Sequence, residues 1–140
     1  MGEKAVLIDA AVPLHAVGGS VRERTLARAF LDRLVVDGHR MYASAEMIQE
    51  FAFHRLRRGG DRGRAVQETK DVMSLMTVLN VDREVLDLSL DLVERIGVRG
   101  RDAVHAATAL VYGIPVIASP DPAFDGIPGL RRLDPLRAPR

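Results

Sequence analysis

The chain has 140 residues, of which 47% are hydrophobic and 28% charged, so it is long enough for a single domain with a core of its own and has an ordinary globular composition. It contains no cysteine, which excludes disulfides, thiolate metal sites and cysteine nucleophiles. The net charge of +1 indicates no class of partner, and the four histidines lack the spacing of a zinc cluster.

The beginning of the chain does not resemble a signal peptide, because only four apolar residues separate Lys4 from Asp9. No run approaches the ~20 apolar residues that a membrane-spanning helix requires. The sequence therefore predicts a cytoplasmic protein without a membrane partner.

Strand-like and helical segments alternate along the first half of the chain. Residues 4–8 are apolar after Lys4, which predicts a short buried strand. A loop containing Gly18 and Gly19 is expected next, and Ser20 is placed to cap the helix that follows. The later elements of this half are a helix ending at about Val36, a turn at 37–39, a strand over 40–43 and a helix capped by Ser44 that ends at about Leu56.

The second half continues the alternation, which predicts an α/β fold with a central, mostly parallel sheet of four to five short strands flanked by helices. The domain is expected to span residues 1–134, with 135–140 as a flexible tail. The predicted elements are a helix over 62–74, a β-prone segment over 75–81, helices over 83–95 and 102–112, and strands over 115–118 and 130–133.

Four carboxylates, those of Asp9, Glu50, Asp102 and Asp121, lie at predicted strand ends or in the helices. A parallel sheet brings its strand ends and the starts of the following helices to one edge, where α/β proteins bind ligands. Acids gathered there repel one another unless a cation neutralises them. An all-oxygen site of this kind suits Mg²⁺ or Mn²⁺, either of which activates water for attack on a phosphoryl group.

Each acid also has a simpler explanation. Asp9 and Asp102 are suited to cap helices, and Asp121 lies between two prolines in a sequence typical of a turn. Glu46 and Glu50 share a helix face, for which a solvated surface is the simpler explanation, and Glu50 lies nearer the apolar side. The helix dipole is expected to favour the ionised form of Asp102 and to lower its pKa.

The motifs around these acids resemble the PIN-domain family, and within it the VapC-type toxins of toxin–antitoxin pairs. The resemblance covers nearly the whole chain, and its four blocks are residues 6–9, 43–51, 101–109 and 113–130. It implies a metal-dependent endoribonuclease that cuts RNA with metal-activated water at one or two Mg²⁺ or Mn²⁺ ions. It also implies a homodimer and a small antitoxin that blocks the site. The metal ligands and catalytic residues that it implies are Asp9, Glu50, Asp102 and Asp121.

The chain departs from the family pattern beside Asp9. The family usually has Asp-Thr-Asn or Asp-Ser-Ser there, whereas this chain has Asp9-Ala10-Ala11 and lacks the hydroxyl or amide. All four acids are retained, so metal binding is expected to persist and turnover is in more doubt. The alternative function is therefore a catalytically weakened RNA- or protein-binding module. A phosphotransferase with Asp9 as nucleophile is disfavoured, because Ala11 replaces the second Asp of such enzymes.

RNA is a polyanion, so a nuclease with an acidic centre needs basic residues nearby. The densest basic run is residues 54–64, and a solvated helix end is an equally simple explanation for it. His105, three residues after Asp102, is predicted to be a packed or supporting histidine. The predicted RNA-binding residues are Arg55, Arg57, Arg58, Arg62 and Arg101.

Overall fold

The computed structural model describes residues 4–137, which form a five-stranded sheet with helices on both faces. Every strand pairs in parallel with its neighbours, in the order β3-β2-β1-β4-β5. This confirms the predicted α/β domain and its parallel sheet. The strands are β1 (Ala5–Ile8), β2 (Arg40–Ser44), β3 (Thr77–Leu79), β4 (Val116–Ala118) and β5 (Arg131–Leu133).

The central strand β1 is apolar throughout because both of its faces are covered. Ala5 and Leu7 point into one hydrophobic core, and Val6 and Ile8 point into the other. The two cores lie on opposite sides of the sheet, so Asp9, the first residue after β1, lies where the strand leaves them.

Six α-helices fill the connections between the strands within residues 4–137. Helices α2 and α3 supply most of the helical residues of one core, whereas α5 and α6 supply those of the other. The helices are α1 (Ala11–Gly18), α2 (Val21–Val36), α3 (Ala45–Gly59), α4 (Arg62–Leu75), α5 (Arg83–Ile96) and α6 (Gly100–Val111).

The predicted loop after β1 was wrong in part, because residues 11–18 form the helix α1. Pro13 does not interrupt this helix, because it lies in the first helical turn, where its missing N–H costs no hydrogen bond. Val12, Pro13 and Ala16 are buried, so packing against the core stabilises a segment with little amphipathic pattern.

The predicted helix starts are confirmed by their capping hydrogen bonds. Ser20 accepts from the Glu23 amide, and Glu23 accepts from the Ser20 amide, which makes a complete capping box. The Ser44 hydroxyl accepts from the Met47 amide at the start of α3. Asp82 caps α5 in the same way.

At the end of the described chain, residues 135–137 form a turn and Pro135 is buried. The flexible tail predicted for 135–140 stays a prediction, since its last three residues lie outside the described part. Among residues 4–137, no helix combines the length and the apolar character needed to cross a membrane.

Helix α6 approaches the sheet closely because its buried face is made of small residues. Ala103, Ala106, Ala107 and Ala109 are all almost completely buried. Helix α6 carries Asp102 and His105, and its close approach brings both towards the end of β1. His105 Nε2 lies 3.8 Å from Asp9 Oδ1.

We expect Ala107→Leu to lower the free energy of unfolding by about 1–3 kcal/mol, because the added methylenes have no space against the sheet. Ala45→Leu is the matched control, since Ala45 is exposed at the start of α3 and its substitution should change stability by less than about 0.5 kcal/mol. Urea denaturation measures both. Equal stability of the two variants would show that α6 has room to move away from the sheet.

Candidate metal centre

The candidate site lies at the carboxyl ends of β1 and β4, where the strand order reverses direction. In open parallel sheets this reversal leaves a crevice beyond the strand ends, and ligands bind there. The register aligns Ile8 with Ala118, so the next residues, Asp9 and Ser119, are neighbours. Asp121 follows two residues later, which places it at the same edge.

Asp9 is held in place by the residues after β4. Its amide donates to the Ala118 carbonyl at 3.0 Å, and the Ser119 hydroxyl donates to its Oδ2 at 2.8 Å. The carboxylate is almost completely buried, and burial raises its pKa even though His105 and the Ser119 hydrogen bond oppose the shift. Asp9 does not cap α1, because the residue at the cap position is Ala10, without a side-chain cap bond.

His105 links two helices and two acids. The Ser44 hydroxyl lies 2.9 Å from its Nδ1, and Glu50 Oε1 lies 3.2 Å from its Nε2. A carboxylate only accepts hydrogen bonds, so Nε2 carries the proton and donates it to Glu50. Asp9 Oδ1 lies 3.8 Å from the same nitrogen. His105 is fully buried, as predicted, and its hydrogen bond fixes the position of the Glu50 carboxylate.

Glu50 therefore differs from the other acids in its electrostatics. The His105 hydrogen bond lowers its pKa, and the nearby Arg101 charge adds to this against a partial cost of burial. Its carboxylate is ionised at neutral pH and only partly covered. The structure thus supports Glu50 over Glu46 as the acid of α3 that belongs to the site.

Asp102 contradicts the prediction of a lowered pKa. It lies in the first turn of α6, but burial and the charges of Asp9 and Asp121 raise its pKa to about 6. The helix dipole is a weaker influence here than the surrounding acids. Glu50 acts on the pKa of Asp102 in the same direction as Asp9 and Asp121 do. The distances from His105 Nε2 to Glu50 and to Asp9 place these two acids at one edge of the sheet.

The Asp121 loop is held by hydrogen bonds on both sides. The Asp121 amide donates to the Ser119 hydroxyl at 3.1 Å, and one carboxylate oxygen accepts from the Ala123 amide at 2.9 Å. The turn explanation is thus correct for one oxygen of Asp121. Asp125, close in sequence, pairs instead with Arg132 at 2.9 Å, and Arg132 also donates to the Ser119 carbonyl.

The donor set fits a hard divalent cation in its chemistry, since it consists of carboxylate oxygens at one polar edge of the sheet. Within residues 4–137, no three histidine or acidic side chains are already arranged to hold an ion. The carboxylates are instead turned towards their own hydrogen-bond donors, Ser119, His105 and the Ala123 amide. A cation at this edge would thus require small side-chain rotations, which the exposed Asp121 can make most easily.

The predicted RNA-binding arginines divide into separate groups. Arg57 and Arg58 are exposed in the last turn of α3 and, with the exposed Arg101, line a cavity that also contains Glu50. Arg62 is exposed at the start of α4. Arg55 is largely buried and pairs with Glu68 at 3.2 Å, so its charge joins α3 to α4.

Sequence comparison identifies the family of the chain. A sequence profile of the PIN domain matches residues 6–130. The chain is 28% identical over 131 residues to Ribonuclease VapC13 of Mycobacterium tuberculosis, a match that covers 91% of this chain and 98% of the relative. The chain belongs to the PIN-domain family.

Two solved structures share the fold. A toxin-antitoxin complex from Klebsiella pneumoniae has a chain with a TM-score of 0.69 and 18% identity, covering 93% of this chain and 97% of that one. VapBC2 from Rickettsia felis, bound to a promoter DNA fragment, gives a TM-score of 0.73 and 12% identity, covering 93% and 99%. At such low identities the likeness is one of fold.

Sequence reasoning missed two supporting residues. Ser44 was identified only as a helix cap, although its hydroxyl also holds His105. Arg132 was not singled out, although it fixes the loop that carries Asp121. No local pattern marks either role, because both partners are distant in sequence.

We expect Asp102→Asn to raise the free energy of unfolding of the metal-free protein above about pH 6. The folded chain keeps a proton on Asp102 up to a pKa of about 6, and the unfolded chain loses it near the ordinary value of 3.8. Stability of the native protein therefore falls as pH rises between these values, whereas asparagine has no proton to lose. Urea denaturation in EDTA across this range measures the difference.

Asp32→Asn, which removes one exposed carboxylate on α2, is the control for the substitution itself. A constant difference between native protein and Asp102→Asn at all pH values would contradict the assigned titration. Mn²⁺ should reverse the order of stability, since it binds the folded native protein better than the variant.

Proposed function

We propose that this protein is an Mg²⁺- or Mn²⁺-dependent endoribonuclease and the toxin of a type II toxin–antitoxin pair. The observation that carries the proposal is the gathering of acids at one edge of the sheet, where His105 Nε2 lies 3.2 Å from Glu50 Oε1 and 3.8 Å from Asp9 Oδ1. Asp102 lies on the same helix as His105, and Asp121 follows the end of β4. A relative that matches almost end to end is named a ribonuclease, and a structure of the same fold comes from a toxin–antitoxin complex.

The bound metal would supply a nucleophile by lowering the pKa of a water molecule and would polarise the phosphoryl oxygen under attack. Asp9, Asp102 and Asp121 are the proposed ligands, and Glu50 completes the site or orients water. Ser119 fixes the Asp9 carboxylate, because its hydroxyl donates to Oδ2. His105 likewise fixes Glu50, which leaves the second carboxylate oxygen of Glu50 to accept from water.

The alternative, a catalytically weakened binding module, rests on the alanines at positions 10 and 11. Ala10 is completely buried and has no polar group to offer a ligand or water. Ser119 compensates in part, because it supplies a hydroxyl to Asp9 from the other side of the crevice. Calorimetric titration with Mn²⁺, paired with a nuclease assay, separates the two functions, since the weakened module would bind metal without cutting RNA.

The proposed partners are an antitoxin that blocks the acidic edge and a second copy of the chain. An exposed apolar row on α5, formed by Leu86, Leu90 and Val93, has the spacing of one helix face and supports a protein interface there. The proposed location is the cytoplasm, where RNA substrates are available.

We expect Asp9→Asn to abolish Mn²⁺-stimulated RNA cleavage and to leave the fold intact. Asparagine has nearly the same shape and still accepts the Ser119 hydrogen bond, but it removes the charge that a divalent cation requires. Cleavage of a single-stranded RNA is measured with and without Mn²⁺, with circular dichroism as the check on folding. Asp32→Asn is the control, and full activity in Asp9→Asn would refute the assigned ligand.

We expect the double substitution of Arg57 and Arg58 by alanine to weaken RNA binding and to flatten its salt dependence. Each lost contact with a single-strand phosphate lowers the slope of log affinity against log salt by about 0.7, so roughly 1.4 is expected for two. Alanine at Arg83 and Arg95 is the control, because these exposed arginines lie on α5 and pair with Asp87 and Asp91. An unchanged slope in the Arg57 and Arg58 variant would remove both residues from the RNA path.

A further inference from the structure

We infer that the cavity beside Glu50 is a nucleotide-binding subsite in which an RNA base stacks on Phe53 and the neighbouring phosphates contact Arg58 and Arg101. The inference rests on the proposed function and deepens it, because it identifies how RNA is held next to the acids. It adds an aromatic residue to a site that otherwise consists of charges.

Phe53 is an exposed aromatic side chain placed one helical turn after Glu50. It is 56% exposed, whereas Phe51, two residues earlier on α3, is completely buried. Residues three apart on a helix lie on the same side, so the ring and the Glu50 carboxylate face one space. A phenyl ring left open to solvent beside an acidic centre has no role in the hydrophobic core.

The ring is also oriented by a cation. The Arg57 guanidinium carbon lies 5.6 Å from the centre of the Phe53 ring, which is within the range of a cation–π contact. The phenyl ring and the guanidinium that lies over it are both planar groups. Nucleobases stack on aromatic rings and on guanidinium planes. A single residue of this type selects a base by its planar shape and tolerates different sequences.

The cavity has the size and the charge for one nucleotide. Its volume is about 360 Å³, and its lining includes Glu50, Phe53, Arg57, Arg58 and Arg101. This volume lies within the ~300–1,000 Å³ typical of small-ligand sites. Three guanidinium groups outnumber the one carboxylate, which favours a ligand that carries phosphate. His54 also lines this cavity. Burial lowers its pKa, and the charges of Arg58, Arg55 and Arg57 lower it further.

A nucleotide suits this lining better than a protein segment does. The nearby groove between α3 and α4, lined by Leu56 and Val66, is almost wholly apolar and has the character of a protein-binding surface. The Phe53 cavity instead combines one ring with several cations and opens onto an acid of the metal centre. Leu56, on the same helix and 44% exposed, therefore provides a matched control for an exposed apolar side chain.

The test measures binding of a single-stranded hexaribonucleotide that carries 2-aminopurine at each position in turn. All variants are made in the Asp9→Asn background, so that the RNA stays intact during the titration. Phe53→Ala should lower the affinity roughly tenfold, the order expected for one lost base–aromatic stack, and should abolish the quenching of the stacked 2-aminopurine. Phe53→Tyr should retain both, Phe53→Leu should lose both, and Leu56→Ala should bind as the background does.

Salt titration adds a readout that a general disturbance would not reproduce. Phe53→Ala should bind more weakly at every salt concentration with an unchanged slope, because stacking involves no counterion release. Equal affinity and quenching in Phe53→Ala and the background would overturn the subsite. Full binding by Phe53→Leu would also overturn it, since it would show an apolar surface for a protein partner.

The outcome for the subsite is separable from that for the proposed function. If the native protein cuts RNA but the Phe53 variants bind it as the background does, the subsite alone fails. If the native protein cuts no RNA with Mn²⁺ but Phe53 variants show the expected loss of binding, the nuclease assignment fails and the nucleotide subsite stands. Absence of any RNA binding by the background variant would overturn the subsite.

Discussion

The mutual repulsion of four carboxylates at one edge of a parallel sheet is the constraint on which the other features of the site depend. Asp9 and Glu50 are each stabilised by a dedicated hydrogen-bond donor, the Ser119 hydroxyl and the His105 ring. Burial of Asp102, together with the charges of Asp9 and Asp121, raises its pKa to about 6. A carboxylate that resists ionisation in a folded protein stores unfavourable energy that a cation relieves. The raised pKa of Asp102 therefore lowers the stability of the protein at neutral pH, and the proposed metal would offset that loss.

The fold creates this convergence through two packing features. The register of β1 with β4 places Asp9 beside Ser119, so that one hydroxyl joins the two strand ends. The alanine face of α6 lets that helix lie close to the sheet, so that His105 reaches the same edge from the other side. Larger residues on α6 would move His105 away from both acids. The same alanines thus determine the packing of the core and the distances within the site.

The sequence was sufficient for the features that depend on local patterns. The apolar strands and the capping residues are short-range signals, and the structure confirms them at β1, α2, α3 and α5. The helix over 11–18 was not predicted because the segment has little amphipathic pattern, and burial against the core stabilises it. The pKa of Asp102 depends on its burial and on charges that come from three other elements, so a prediction based on its own helix had the wrong sign. Arg55 resembled its neighbours in sequence, and only the fold shows that Glu68 pairs with it.

Helix α3 shows how an acidic centre can be combined with a polyanionic substrate. Its Glu50 belongs to the carboxylates, whereas Arg57 and Arg58, two turns later, carry the opposite charge into the same cavity. Without a cation, the acids oppose the approach of a phosphate and the arginines attract it, so the two effects act against each other along one cavity. A divalent ion changes the acidic end from repulsive to attractive. Metal and RNA binding are then coupled, and by linkage each strengthens the other to the same extent. The acids that make metal binding favourable would thereby also keep the protein from holding RNA tightly in the absence of metal.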